Sequence, residues 1–401
     1  MYTVELEPGV WTVLAQTSDG SAKKLLDVCI QPRKYWIPAS TATDGDAQST
    51  AAGRKRRARQ EQIAVAVDVE VAGVGAVAGP ASIYKKRRAA GGEGRHKHRQ
   101  GHTDTQPLLT MSDGETVHLR GQDNEDCYSL TRCRLLTSTR SASLYTAKIS
   151  RRPGQVVVIK TIKLRALSAI NQWQREVRVY KEVGHQPHIA HLIGSDARTL
   201  SLQLEYIDSP SLEKHLDEKY MCTNPDMAFL VLSDITAALQ FLHDSSIVHN
   251  DVKPANIIYH QFRGAMLIDF GLAGTLAESH GGGTPWYLPP ENQLDEKNYP
   301  PRDIFALGVT LLWVLGKCPL PEKSCAEWTI AHLFPRAGVS NHVRSRTLNV
   351  MNQWLAKVMQ IQAQLSTSAQ SIESVVFNMV DRKKRSTAAA VLTALKSVKT
   401  E

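Results

Sequence analysis

At 401 residues, with 42% apolar and 22% charged side chains, the chain suits a soluble globular protein with one large two-lobed domain and a tail. Its net charge of +9 is lopsided, because residues 51–100 hold twelve Lys/Arg against four acids, so the basicity belongs to one segment and not to the fold. Six cysteines without a CxxC pair argue against a zinc site or a disulfide framework, and the acids of MYTVELEPGV do not make a signal peptide.

In chain order, residues 1–38 carry apolar patches at Val10, Trp11, Val13 and Leu14 and read as a small strand pair or a docking segment. Residues 39–115 are dominated by Ala, Gly, Ser, Thr, Arg and Lys without sustained periodicity, the composition of a disordered tail. Inside it, Ile63 to Ala81 is the most apolar stretch, but Asp68 and Glu70 interrupt it and make it a poor membrane span, so no membrane partner is expected. The basic runs GRKRRARQ and YKKRRAAGGEGRHKHR are the kind that attract an import receptor or nucleic acid, although such runs are often only solvating. The reduced-thiol cysteine pattern places the chain inside the cell, in cytoplasm and/or nucleus.

From residue 128 to 398 the texture becomes dense and apolar. The β-branched run Val156 to Ile159, ending in Lys160, predicts a buried strand. Leu167 to Val183 predicts a helix with Ile170, Trp173, Val177 and Tyr180 on one stripe and Gly184 after its end. A strand over Leu200 to Ile207 and a long apolar helix over Met227 to His243 follow. Strands first and helices later predict an α+β, bilobal fold, with a small β-rich lobe over about 128–205 and a larger helical lobe over about 206–398.

The stretch IVHNDVKPANIIY places a carboxylate at Asp251 and an amide oxygen at Asn256 five residues apart, and a second carboxylate, Asp269, follows the apolar strand Ala265 to Ile268. That set supplies two hard oxygens for Mg²⁺ and a third group to orient a hydroxyl. An isolated Asp before Gly is mostly a turn residue, so the weight lies in the combination.

H-N-D-V-K-P-A-N followed by D-F-G resembles the catalytic and metal-binding segments of the eukaryotic-type protein kinase family, Ser/Thr branch. The resemblance extends in order through Val157-Val158-Ile159-Lys160, Glu176 on the following helix, the segment Gly283 to Glu291, Asp303 at the head of a buried helix, and Arg385 as partner of Glu291. It implies ATP as phosphoryl donor, Mg²⁺ on Asn256 and Asp269, and a protein substrate. Lys160, fixed by Glu176, would hold the α- and β-phosphates. Asp251 would accept the hydroxyl proton, with Lys253 on the γ-phosphate and Thr284 in the substrate-facing segment. The nucleotide would contact Lys160, Ser138, Arg140, Ser143, Tyr145, Val158, Leu204, Glu205, Ile207 and Ile258.

Two departures stand out. Ser138, Arg140 and Ser143 occupy the family's phosphate-loop glycine positions, which hinders close backbone approach and gives Arg140 a compensating phosphate contact. Asn250 stands where the family has an arginine before the catalytic Asp, so no cation there needs a phosphorylated loop, and phosphorylation at Thr275 or Ser279 is predicted to be dispensable. A pseudokinase scaffold is the competing expectation from the first departure. A small-molecule kinase is disfavoured by Gly283 to Glu291, which shapes a peptide groove.

Overall fold

A computed structural model describes residues 9–16, 22–30, 107–119, 127–163, 167–278, 282–293, 299–335, 338–368, 370–382 and 384–398. The basic runs and most of the expected tail lie outside these residues. The chain divides into two units, Met1–His98 and Arg99–Glu401. In the first, β1 (Gly9–Gln16) pairs antiparallel with β2 (Ala22–Ile30).

The second unit opens with α1 (Pro107–Thr110) and β3 (Thr116–Leu119). Then come β4 (Tyr128–Ser138), β5 (Ala142–Ile149) and β6 (Val156–Ile162), α2 (Leu167–Val183), β7 (Leu192–Asp196) and β8 (Ser201–Glu205). The six strands form one antiparallel sheet in the order β3-β4-β5-β6-β8-β7. One face of the sheet packs Leu108 and Met111 against Tyr128, Leu130, Tyr145, Ala147, Ile149, Val157 and Ile159. Residues 107–119 therefore belong to the small lobe, which starts well before residue 128 and inside the stretch expected to be tail. Leu108 and Met111, among mostly polar neighbours, carry too little periodicity to announce this, yet both are almost wholly buried.

The helical lobe follows. α3 (Ala228–Asp244) leads to the short strands β9 (Ile247–Val248), β10 (Ile257–His260), β11 (Gly264–Leu267) and β12 (Gly274–Thr275). α4 (Pro300–Val314), α5 (Pro321–Ser324), α6 (Asn341–Gln362), α7 (Ile372–Met379) and α8 (Ala388–Leu395) complete it. Residues Pro225–Asp244 are long and apolar enough to cross a membrane, but Val231, Leu232, Ile235, Leu239 and Leu242 of α3 are fully enclosed by the lobe's own core. α4 is buried along nearly its whole length, with Trp313 and Phe305 at the centre. Gly308 lets α4 approach α7, since a Cβ there would lie 2.7 Å from Val380 Cγ1. Antiparallel β10–β11 and β9–β12 pairs hold the loops that carry the polar residues of the next section.

Candidate active site

Lys160 sits in the middle of β6, paired with Leu144 on one side and Leu202 on the other, so its backbone position is fixed by two neighbouring strands. Its Nζ donates to Glu176 Oε1 at 2.7 Å and to Asp269 Oδ1 at 2.6 Å. Glu176 is on the inward face of α2, one turn from Val179 and Tyr180, and has no exposed surface. Burial works against the charge on Lys160, but the two carboxylates outweigh it and keep the ammonium protonated. Burial pushes Glu176 up, opposed by Lys160. Burial also pushes Asp269 up, but Lys160 and the Gly271 amide outweigh it and bring its carboxyl down to about 2.

Asp269 has φ +65, a left-handed conformation that Asp tolerates better than most residues but that still needs outside support. The next residue supplies it. Phe270 is fully buried, edge-on to Tyr180 of α2 at 4.8 Å and to His249 at 5.0 Å between ring centres.

The loop between β9 and β10 is stitched from below by Asp303, the fourth residue of α4. This carboxylate, with no solvent exposure, accepts from the backbone N–H of His249 at 2.8 Å and of Asn250 at 2.9 Å and pairs with His243 Nε2 at 3.0 Å. Burial alone would raise it, yet the His243 and His249 contacts hold it below the usual carboxylate range. Asn250 adopts φ +67, which suits Asn, and donates from Nδ2 to the Leu272 carbonyl at 3.0 Å.

With the loop fixed, Asp251 faces three partners. Thr284 donates its hydroxyl to Asp251 Oδ1 at 2.7 Å and accepts from Lys253 Nζ at 2.7 Å. Lys253 also lies 2.8 Å from Asp251 Oδ2. Asn256 Nδ2 donates to the Asp251 carbonyl at 2.8 Å and to Oδ2 at 3.0 Å. That leaves Asn256 Oδ1 and Asp269 Oδ2 without donors among the described residues, both side chains lining the same cleft. No group of three or more His, Cys, Asp or Glu among the described residues could enclose a metal ion alone. Two open oxygens fit a hard cation that completes its shell with phosphate and water.

The cleft between the lobes has a volume of about 960 Å³ and is lined by Val158, Leu204, Glu205, Ile207 and Ile258, as well as by Lys160, Asp251, Lys253, Asn256 and Asp269. Glu205 directs its carboxylate to Arg263 at 2.6 Å and to the His191 amide at 3.3 Å, so its side chain is already engaged.

Four expected nucleotide contacts are placed elsewhere. Tyr145 is fully buried on the opposite face of the sheet, its hydroxyl 3.9 Å from Met111 Sδ. Ser143 is buried beside it in sequence and does not line the cleft, Arg140 is exposed on the turn, and Ser138 accepts from Lys163 Nζ at 2.8 Å. Thr137, Thr139, Ser141, Ala142 and Leu144 line the cleft instead. The expected register is one residue off. Side chains alternate faces along a strand, so a slip of one residue exchanges the face turned to the cleft for the face turned to the core. The apolar stripe Tyr145, Ala147, Ile149 was the available signal for which face is core.

Thr139 closes the turn that results. Its Oγ1 lies 3.1 Å from Ala142 N and 3.3 Å from Ser141 N, and its carbonyl and Ser138 Oγ both accept from Lys163 Nζ. On the far side of the lobe, Arg385 forms an ion pair with Glu291, anchoring the segment that begins at Gly283.

A protein kinase domain profile matches residues 140–395. Serine/threonine-protein kinase PkaA of Streptomyces coelicolor is 32% identical over 203 residues, 47% of this chain and 37% of that protein. Cell division control protein 2 homolog 3 of Trypanosoma brucei brucei is 33% identical over 171 residues, 40% of this chain and 54% of that protein. A chain from the CAK complex of Chaetomium thermophilum, solved with ATP-gamma-S, matches with TM-score 0.47 and 21% identity, covering 66% of this chain and 89% of its own. The chain thus spans from about a third to about half of the length of these two curated relatives. With a profile match over most of its length and a small sheet lobe set on a helical one, the chain belongs to the protein kinase domain family.

Proposed function

We propose that this chain transfers the γ-phosphoryl group of ATP to Ser/Thr hydroxyls of protein substrates. The observation that carries this is the convergence of two preformed charge sets on one cleft: Lys160–Glu176–Asp269, and Asp251–Lys253–Asn256 with Thr284. Phosphoryl transfer through a loose transition state asks for positioning and charge neutralisation more than for a covalent intermediate. Lys160, held rigid by two carboxylates, suits the α- and β-phosphates. Mg²⁺ held by Asn256 Oδ1 and Asp269 Oδ2 would neutralise charge on the β- and γ-phosphates. Asp251, oriented by Asn256, accepts the proton of the attacking hydroxyl, while Lys253 offsets charge at the γ-phosphate. Thr284 between Asp251 and Lys253 marks where an aliphatic hydroxyl can be received, which favours Ser/Thr acceptors.

One observation favours a second reading, a nucleotide-binding scaffold without turnover. Thr139 occupies the Ser141 and Ala142 amides that would otherwise be free to approach a phosphate. Transfer from labelled ATP to a generic basic protein, wild type against Asp269→Ala, separates the two. Incorporation is expected with wild type and not with the variant, and equal signals would remove catalysis. The basic runs between residues 53 and 99 support an import-receptor or nucleic-acid contact; a fluorescent fusion lacking residues 51–100 that still enters the nucleus as the full chain does would exclude the import role.

A further inference from the structure

The catalytic loop lacks a basic residue at position 250, but a buried cation lies beside it nonetheless. Arg302, the third residue of α4, is only 2% exposed, and its Nη2 donates to the Gly282 carbonyl. Gly283, at φ +127, lies against the same guanidinium, and a Cβ there would come within 2.6 Å of Arg302 Nη2 and 3.1 Å of the Asn250 carbonyl. Arg302 Nε has no hydrogen-bond partner among the described residues. Burial weighs against its charge, and Asp303 and Asp251, within its electrostatic reach, offset part of that cost. One side chain thus holds the main chain two residues before Thr284, lies within electrostatic reach of Asp251, and grows from the helix whose next residue, Asp303, holds the loop that carries Asp251.

We propose that Arg302 is a positioning residue for phosphoryl transfer: it replaces, from α4, the cation missing at Asn250, and clamps Gly282–Thr284 so that Thr284 meets Asp251 without a phosphate on the segment. The inference rests on the kinase reading above. The acceptor is a backbone carbonyl, present in every state of modification. The guanidinium is enclosed, and the absent Cβ of Gly283 makes room for it and not for a phosphate. This revises the expectation drawn from Asn250 alone: the cation is there, but its partner is permanent.

The test compares Arg302→Met, Arg302→Lys and Gly283→Ala with phosphatase-treated wild type. A displaced catalytic group costs about a hundredfold in turnover when the shift nears 1 Å, so Arg302→Met should lose about 30- to 100-fold in kcat with KM for ATP within about twofold. Arg302→Lys should recover most of the loss, because it keeps a cation and one donor, which a purely space-filling role would not reward. If Arg302→Met does not fold, Gly283→Ala breaks the same contact from the other side and should show the same kcat loss. Phosphatase treatment should leave wild-type activity unchanged. Unchanged kcat in both Arg302→Met and Gly283→Ala, or a large loss on phosphatase treatment, would overturn the proposal. Amide hydrogen exchange at Gly283 and Thr284 reads the clamp even in a protein that transfers no phosphate: a rise of about tenfold or more in the variants is expected, and unchanged protection would sink the clamp whatever the activity. An inactive wild type with protected amides would sink only the kinase reading.

Discussion

Asp303→Asn isolates the carboxylate that holds the loop between β9 and β10. In the wild type that group accepts from two backbone amides and pairs with His243, entirely away from solvent. Asparagine keeps one acceptor oxygen and turns an amino group toward a second donor. At least one buried N–H is then orphaned, at about 1–3 kcal/mol, and the surviving bonds lose their charge assistance, so about 3 kcal/mol in all is a fair sum. For a domain of this size that corresponds to a fall in Tm of about 6–12 °C, readable by differential scanning fluorimetry or calorimetry. The pH dependence gives an independent check. The folded carboxyl sits below its ordinary value, so its stabilisation is complete above the unfolded carboxylate range near about pH 4 and fades as pH falls through the folded value. The variant has no such titration, and the two stability curves should converge in acid. A fall of under about 2 °C at neutral pH, or a gap that stays constant down to acid, would show that Asp303 does not hold the loop.

Glu176→Gln keeps the shape of the Lys160 partner but removes its charge, and with Lys160 then drawn to Asp269 alone, kcat/KM for ATP should fall about 30- to 100-fold in steady-state assays. Gly308→Ala forces a methyl to within 2.7 Å of Val380 Cγ1 and 3.1 Å of Met379 Cβ, and should cost about 1–3 kcal/mol in urea unfolding while leaving nucleotide contacts intact. Lys163→Met removes two bonds that brace the Thr139 turn; at about 1 kcal/mol of lost pre-organisation the KM for ATP should rise about fivefold with kcat unchanged. A KM that does not move would mean the turn is held by Thr139 alone.

The central strand and the following helix were legible because β-branched density and a 3.6-residue stripe agree there, and the spacing from Lys160 to Glu176 survives any error at the element ends. The Asp251–Asn256 spacing and the Asp-Phe-Gly triplet were legible for a similar reason: short loops leave little freedom in how their residues meet. The turn over 137–145 was not, because a period of two shows which residues share a face but not which face is turned to the cleft. Arg302 was invisible for a different cause. An arginine on the first turn of a helix reads as exposed by default, and only the packing of α4 against the Gly282 segment reveals that it is enclosed. The length of the small lobe was missed because its first segment buries only two apolar side chains, one on α1 and one just after it.

Those two side chains, Leu108 and Met111, set a practical limit on how the protein can be cut. A recombinant fragment begun at residue 128 would leave the outer face of Tyr145 uncovered and remove the Met111 carbonyl that receives Arg132. Losing each apolar residue resembles a core truncation of about 2–5 kcal/mol, enough to consume most of the stability of a typical domain. Fragments intended for enzymology should therefore begin upstream of Pro107, and low activity in a shorter one would report damaged folding, not a weak catalyst.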